Sequence, residues 1–181
     1  MKLTRLTIVA VLALLVSATV LVGTAAGDQA AEHARPFKIS MEFAGSVIGP
    51  PGTHGCDSAS LPARLAISEG HGTHLGLIAE GPDAFVCQDL ETGALTNGSA
   101  TYLAANGDTV DASFEGQAYI NADGTFTGEG TATILGGSGR FVSASGAWTW
   151  TMSGMFLPDG TTLTALEGAG WIAYDASDRS D

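Results

Sequence analysis

Four side chains of the types that bind metals lie close together in the sequence: His54, Cys56, His71 and His74. Imidazole and thiolate groups are common zinc ligands. In a β-strand, however, residues three apart point to opposite faces, so His71 and His74 converge only if the intervening Gly72 makes a bend or a bulge. A zinc site is therefore one hypothesis. The plainer interpretation is two surface histidines and a disulfide-bonded Cys56.

Oxygen-bearing side chains offer two further arrangements. A carboxylate pair for acid–base work could be drawn from Glu69, Glu80 and Asp83. A calcium site could be drawn from Asp108, Asp111, Asn121 and Asp123, although these lack the order of an EF-hand loop. Solvated loop acids and turn-capping side chains explain the same residues without a site. Because no GxSxG elbow occurs either, we assign no catalytic residue, no metal ligand and no cofactor.

Trp148, Trp150 and Met152 occupy alternate positions and share one face of a predicted strand, with Thr149 and Thr151 on the other. If that face points into a barrel, the three side chains line its interior. They then serve either as core filler or as the wall of an apolar ligand cavity.

Cys56 and Cys87 are the two cysteines of the chain. An even number of cysteines in an exported protein favours a disulfide, and the spacing lacks the CxxC pattern of a metal site. We predict a Cys56–Cys87 bond that pins the loop 49–61, rich in Gly and Pro, to the strand that holds Cys87. Two free thiols are the alternative.

The first residues have the pattern of a signal peptide: Lys2 and Arg5 precede an uncharged apolar run over 6–23. We predict a signal peptide over 1–26 that is cleaved near Ala26, a flexible leader over 27–36, a barrel domain over 37–175 and a disordered tail over 176–181. The mature protein is then secreted and carries no membrane segment. A retained anchor is the alternative, since the run is just long enough to span a bilayer.

The composition bounds the partners. The chain has 7 basic and 19 acidic residues, and no Lys or Arg lies between Arg64 and Arg140. Binding to a phosphate backbone depends on clustered Lys and Arg, so nucleic acid is a poor candidate. A negatively charged surface that resists aggregation explains the acidity.

Alternation of apolar and polar residues dominates the mature chain. Phe37, Ile39, Met41 and Phe43 are separated by polar residues, as in a half-buried strand. Further strands are predicted over 63–68, 74–79, 84–89, 99–104, 109–115, 124–134, 140–152 and 162–174. Turn signals at 106–108, 123–124 and 159–160 separate them, and no window keeps a helical period. The sequence therefore predicts an all-β protein, a single antiparallel closed barrel of about eight strands that leaves no open edge.

Two glycine-bearing stretches resemble a known family. One contains Gly136, Gly137, Ser138 and Gly139 followed by Arg140 and Phe141, with Ser145 and Gly146 beyond; the other is GTHLG over 72–76. They are similar to the allene oxide cyclase and dirigent-like β-barrel superfamily, the second stretch to its secreted bacterial members. The resemblance implies an eight-stranded barrel over 37–175. Independently of it, Gly136, Gly137 and Gly139 permit positive φ and a sharp turn, after which Phe141 can point inward and contribute to the interior lining. The residues with which the cyclases act have no match here, so no catalytic role is carried over.

Three functions follow as hypotheses. The first is a secreted barrel that binds a small apolar ligand or a partner protein without catalysis. The second is an isomerase or cyclase of the allene oxide cyclase type that acts on a lipid-like substrate, and the third is a structural envelope module. An interior filled by side chains would remove the first two, whereas a cavity with a desolvated carboxylate or histidine at its base would favour an enzyme. The oligomeric state is open.

Overall fold

The computed structural model describes residues 34–78 and 84–175. The predicted signal peptide 1–26, the leader up to residue 33, the tail 176–181 and the acidic residues Glu80 and Asp83 lie outside the described residues.

Nine antiparallel strands follow one another along the described part of the chain. They are β1 Arg35–Val47, β2 Ser60–Gly72, β3 Gly76–Ile78, β4 Ala84–Asp89, β5 Ala94–Leu103, β6 Thr109–Ile120, β7 Thr125–Gly137, β8 Ser145–Phe156 and β9 Thr162–Ala173. The described helical content is a single 3₁₀ turn, Gly139–Phe141. The all-β prediction is confirmed.

Eight of the strands close into a barrel. The sheet order is β1-β9-β8-β7-β6-β5-β4-β2, and β1 also pairs with β2, which joins the two ends. β3 is a ninth, outer strand that pairs with the last three residues of β2, beyond the part of β2 that pairs with β4. Closure gives every long strand two hydrogen-bonded neighbours, so the predicted closed barrel is confirmed.

Alternation along the strands decides what faces inward. In β1 the side chains of Phe37, Ile39, Met41 and Phe43 are buried, while the residues between them are exposed. Trp148 and Trp150 of β8 are buried in the same way, and Thr149 and Thr151 face solvent. Period-two alternation therefore separates a dry interior from a polar exterior.

The two ends of the barrel differ. At one end, which we call the closed end, lie side chains that are at most 1% exposed: Phe37, Leu75, Val110, Phe141 and Ile172. At the opposite, open end lie the connections β1–β2, β4–β5, β6–β7 and β8–β9. The closed end is thus filled by packed side chains, and access to the interior is from the open end.

Several strand boundaries differ from the sequence prediction. β1 begins at Arg35, inside the segment assigned to the leader, since Arg35 and Pro36 already pair with Ile172 and Trp171 of β9. β3 begins at Gly76 rather than at residue 74, because His74 turns the chain with a φ of 73°. β8 begins at Ser145 rather than at residue 140, since the positive φ of Gly139 starts the 3₁₀ turn.

Candidate functional site

An apolar cavity of about 290 Å³ occupies the half of the barrel next to the open end. Every one of the eight barrel strands contributes to its lining, and none of the described lining residues is charged. The largest lining side chains are Met41, Phe43, Tyr102, Phe114, Phe126, Trp148, Trp150, Met152 and Phe156. Cavities near this size with mostly apolar walls are typical of small-molecule sites.

The floor of the cavity is an aromatic layer. The Trp148 ring lies 5.3 Å from the ring of Phe37 and 6.2 Å from that of Tyr102, between the cavity and the closed end. Trp148 and Tyr102 line the cavity, whereas Phe37 lies beyond it. The aromatic layer therefore separates the free volume from the buried side chains that fill the closed end, which we call the plug.

Trp150 forms part of the wall because two glycines make room for it. Its six-membered ring lies against Gly116 of β6 and Gly130 of β7, where an added Cβ would collide with the indole. These glycines face inward at paired positions, so the indole lies across both strands. Because these two positions lack side chains, the indole lies close to the barrel wall and leaves the centre of the barrel free.

The indole nitrogens of Trp148 and Trp150 are buried without a hydrogen-bond partner in the described part of the chain. A buried N–H that has lost water and gained no acceptor costs about 1–3 kcal/mol. Nearly all buried polar groups in native proteins have a partner, so two orphans on neighbouring inward positions of β8 require an explanation.

Tyr102 is the third polar group at the floor, and its side chain is 5% exposed. Burial raises the pKa of its phenol far above the usual value of 10.0, because the phenolate would lose its hydration. Tyr102 is therefore uncharged throughout the physiological range and keeps a proton to donate.

The mouth of the cavity is apolar. Val47, Leu90 and Phe156 line the cavity and are 55%, 51% and 39% exposed. Exposed apolar side chains around a concave opening are typical of ligand entrances and interaction sites.

Four of the turns at this end are capped by aspartates. Asp123 and Asp159 each accept hydrogen bonds from the hydroxyl and the backbone N–H of the threonine two residues later, at 2.7 and 3.0 Å. These bonds, the hydroxyl first, hold the pKa of both carboxyls below 3.8. Asp57 and Asp89 cap their own turns and also have lowered pKa values, through the Ser60 hydroxyl and the Thr92 backbone N–H respectively.

The predicted disulfide between Cys56 and Cys87 is present. Cys87 faces outward from β4, and Cys56 lies in the long β1–β2 connection, so the bond fastens that connection to the outside of the barrel at the open end. Asn97 of β5 adds a hydrogen bond from its side-chain amide to the Gly55 carbonyl at 3.4 Å. The loop beside the mouth is thus held in place.

The glycine-bearing stretch 136–141 lies at the closed end. Phe141 is fully buried, and its ring packs 4.9 Å from that of Tyr174; it is not among the residues that line the cavity. Arg140 donates to the His74 carbonyl at 2.6 Å and lies 3.6 Å from the Asp108 carboxylate. This stretch therefore fastens the plug, away from the free volume.

The other chemistry-bearing residues of the sequence are not brought together. In the described ranges no three His, Cys, Asp or Glu side chains form a metal-binding group. Cys56 is in the disulfide, His71 is exposed on β2, and the His74 ring nitrogen lies 3.1 Å from the Pro36 carbonyl. The calcium candidates are split between the two ends of β6, because a strand of 12 residues separates Asp108 from Asp123.

The described chain also contains no helix that is long and apolar enough to cross a membrane. Fold and cavity together define the class: a closed antiparallel β-barrel, plugged at one end, with an apolar chamber that opens at the other.

No protein-family model matches this sequence, and no curated protein matches it. The solved structure of the pterocarpan synthase dirigent protein GePTS1 is similar, with a TM-score of 0.47 and 11% sequence identity over 82% of this chain and 90% of that one. A likeness of this size does not assign the chain to a family, so its own geometry carries the functional conclusions that follow.

Proposed function

We propose that the barrel binds a small apolar molecule in the cavity at its open end. The observation that carries the proposal is the unfilled apolar volume of about 290 Å³ in a barrel small enough for side chains to fill. Empty apolar space forgoes packing contacts and destabilises the fold. A ligand that enters it restores those contacts.

Binding without chemistry fits the lining better than catalysis. General acid–base catalysis needs a group whose pKa lies near the working pH, most often a carboxylate, an imidazole or an ammonium. The described lining holds none of these, and the Tyr102 phenol is held protonated by burial. No observation at the site favours the cyclase alternative.

The location of the protein is part of the proposal. Structural disulfides persist in oxidising compartments. The Cys56–Cys87 bond and the signal-peptide pattern of the sequence both support a barrel that meets its ligand outside the cytoplasm.

A fluorescence titration with N-phenyl-1-naphthylamine, an uncharged dye that brightens in apolar surroundings, tests the proposal. We expect saturable binding of one dye per chain. In Ala118→Phe, which places a ring in the cavity, binding should weaken about tenfold or more, the effect of losing about 1.4 kcal/mol. Ala165→Phe, on the exposed outer face of β9, is the matched control and should bind normally.

Thermal melts followed by circular dichroism show whether each variant is folded, and Ala84→Phe replaces Ala118→Phe if the latter is not. Native mass spectrometry of the protein from its own host is the second measurement, with a co-purified small molecule expected. A folded wild-type protein that binds no dye and carries no molecule would refute the proposal.

A further inference from the structure

The two unpartnered indoles at the cavity indicate what kind of molecule it takes. Trp148 and Trp150 are 3% and 4% exposed, occupy successive inward-facing positions of β8 and line the cavity. Neither Nε1–H finds an acceptor in the described chain. An indole nitrogen can only donate, so the missing partner is a hydrogen-bond acceptor.

The remaining lining groups restrict the charge of that acceptor. The described lining residues carry no positive charge, so a carboxylate would be desolvated without a counter-ion. The four aspartates of the surrounding turns add negative charge at the mouth, which repels an anion further. An uncharged oxygen, such as that of a ketone, an ester or an ether, satisfies an indole N–H without this cost.

We propose that the cavity binds an uncharged lipophilic molecule whose carbonyl or ether oxygen accepts a hydrogen bond from Trp148 or Trp150. This inference rests on the proposed ligand-binding function and specifies its ligand class. Both nitrogens are buried by neighbouring atoms, so an indole must shift for its N–H to reach the ligand. Both side chains line the cavity into which such a shift would be directed.

Three naphthalenes of matched size test the inference by displacement of N-phenyl-1-naphthylamine. They are 2-acetylnaphthalene, which has a carbonyl, 2-ethylnaphthalene, which has a methylene in its place, and 2-naphthoate, which is an anion. We expect the ketone to bind about tenfold more tightly than the hydrocarbon, the value of one hydrogen bond to a buried donor. The anion should bind most weakly.

Single substitutions then identify the donor. In whichever of Trp148→Phe and Trp150→Phe removes it, the ratio of ketone affinity to hydrocarbon affinity should fall from about tenfold to about one, although the smaller ring changes the wall and with it both affinities. Trp171→Phe is the control, because Trp171 is 40% exposed on the outer face of β9. The ¹³C resonance of a labelled ketone carbonyl provides a readout that packing alone would not move: hydrogen bonding shifts it downfield in the wild type, and the variant without the donor loses the shift.

The outcomes separate this inference from the proposed function. Equal binding of ketone and hydrocarbon, or a preference for the ketone that survives in both tryptophan variants, would refute the hydrogen bond from a tryptophan to the ligand. The proposed apolar binding cavity would still stand. Tightest binding by 2-naphthoate would refute the uncharged ligand class. Failure of all three compounds and of the dye would refute the cavity function itself.

Discussion

Reduction of the Cys56–Cys87 disulfide should lower the free energy of unfolding by about 4 kcal/mol. The bond joins residues 31 apart in the sequence. On the chain-entropy model a closed loop of that length removes about 12 cal/mol/K from the unfolded ensemble, which is about 3.7 kcal/mol at 25 °C. The hydrogen bonds between strands that close the barrel do not involve the β1–β2 connection, which holds Cys56. The folded state should therefore persist after reduction.

Urea unfolding of the oxidised and the dithiothreitol-reduced protein measures the effect, with tryptophan emission as the signal. With a slope of about 2 kcal/mol/M, the midpoint should fall by about 2 M. The Cys56→Ala/Cys87→Ala protein is the control, and dithiothreitol should not change its midpoint. Reduced wild type is the cleaner comparison with the oxidised form, because Cys87 is fully buried and its truncation also removes packing.

A loss below about 1 kcal/mol would refute the reasoning, since the model places the whole effect in the unfolded chain. It would mean that the reduced, unfolded chain still keeps the two cysteines close together. A double-cysteine variant that responds to dithiothreitol as the wild type does would show that the reductant acts elsewhere.

Two further predictions concern the cavity wall and the turns. Gly130→Ala should displace the Trp150 indole, lower the free energy of unfolding by about 1–3 kcal/mol and shift the tryptophan emission. Thr131→Ala, on the outer face, is the control and should leave the emission unchanged. Unchanged emission in Gly130→Ala would contradict the contact between Gly130 and the indole. Asp123 and Asp159 have pKa values below 3.8 in the folded protein, so their contribution to stability is full above that pH and is lost as the pH falls through the folded values. Urea midpoints measured from pH 6 to pH 2 should decline less in Asp123→Asn than in the wild type, and equal declines would exclude this contribution.

The alternation of β1 shows how much of the fold could be predicted. Phe37, Ile39, Met41 and Phe43 are spaced by two, and a strand with one dry face follows directly from the geometry of the pleat. The turn signals are equally local, and two cysteines in an exported chain allow a single internal pairing, so the barrel and its disulfide could be predicted without coordinates.

The cavity could be predicted only in part. The shared face of Trp148, Trp150 and Met152 is a property of one strand, and the sequence shows it. Whether space remains above Trp148 depends on residues of other strands, such as Gly116 and Gly130, whose register no local pattern reveals. The early start assigned to β8 failed for a related reason: the positive φ of Gly139 cannot be distinguished by sequence from that of an ordinary turn glycine.

The separation between plug and mouth has a consequence for how such a protein can change. Buried aromatics and the Arg140 contacts hold one end together, whereas short hairpins at the other end each close on their own aspartate. We therefore expect substitutions or insertions in one hairpin to leave the others and the plug intact. On this expectation, new recognition properties can be acquired at the mouth, by evolution or by engineering, without a loss of foldability.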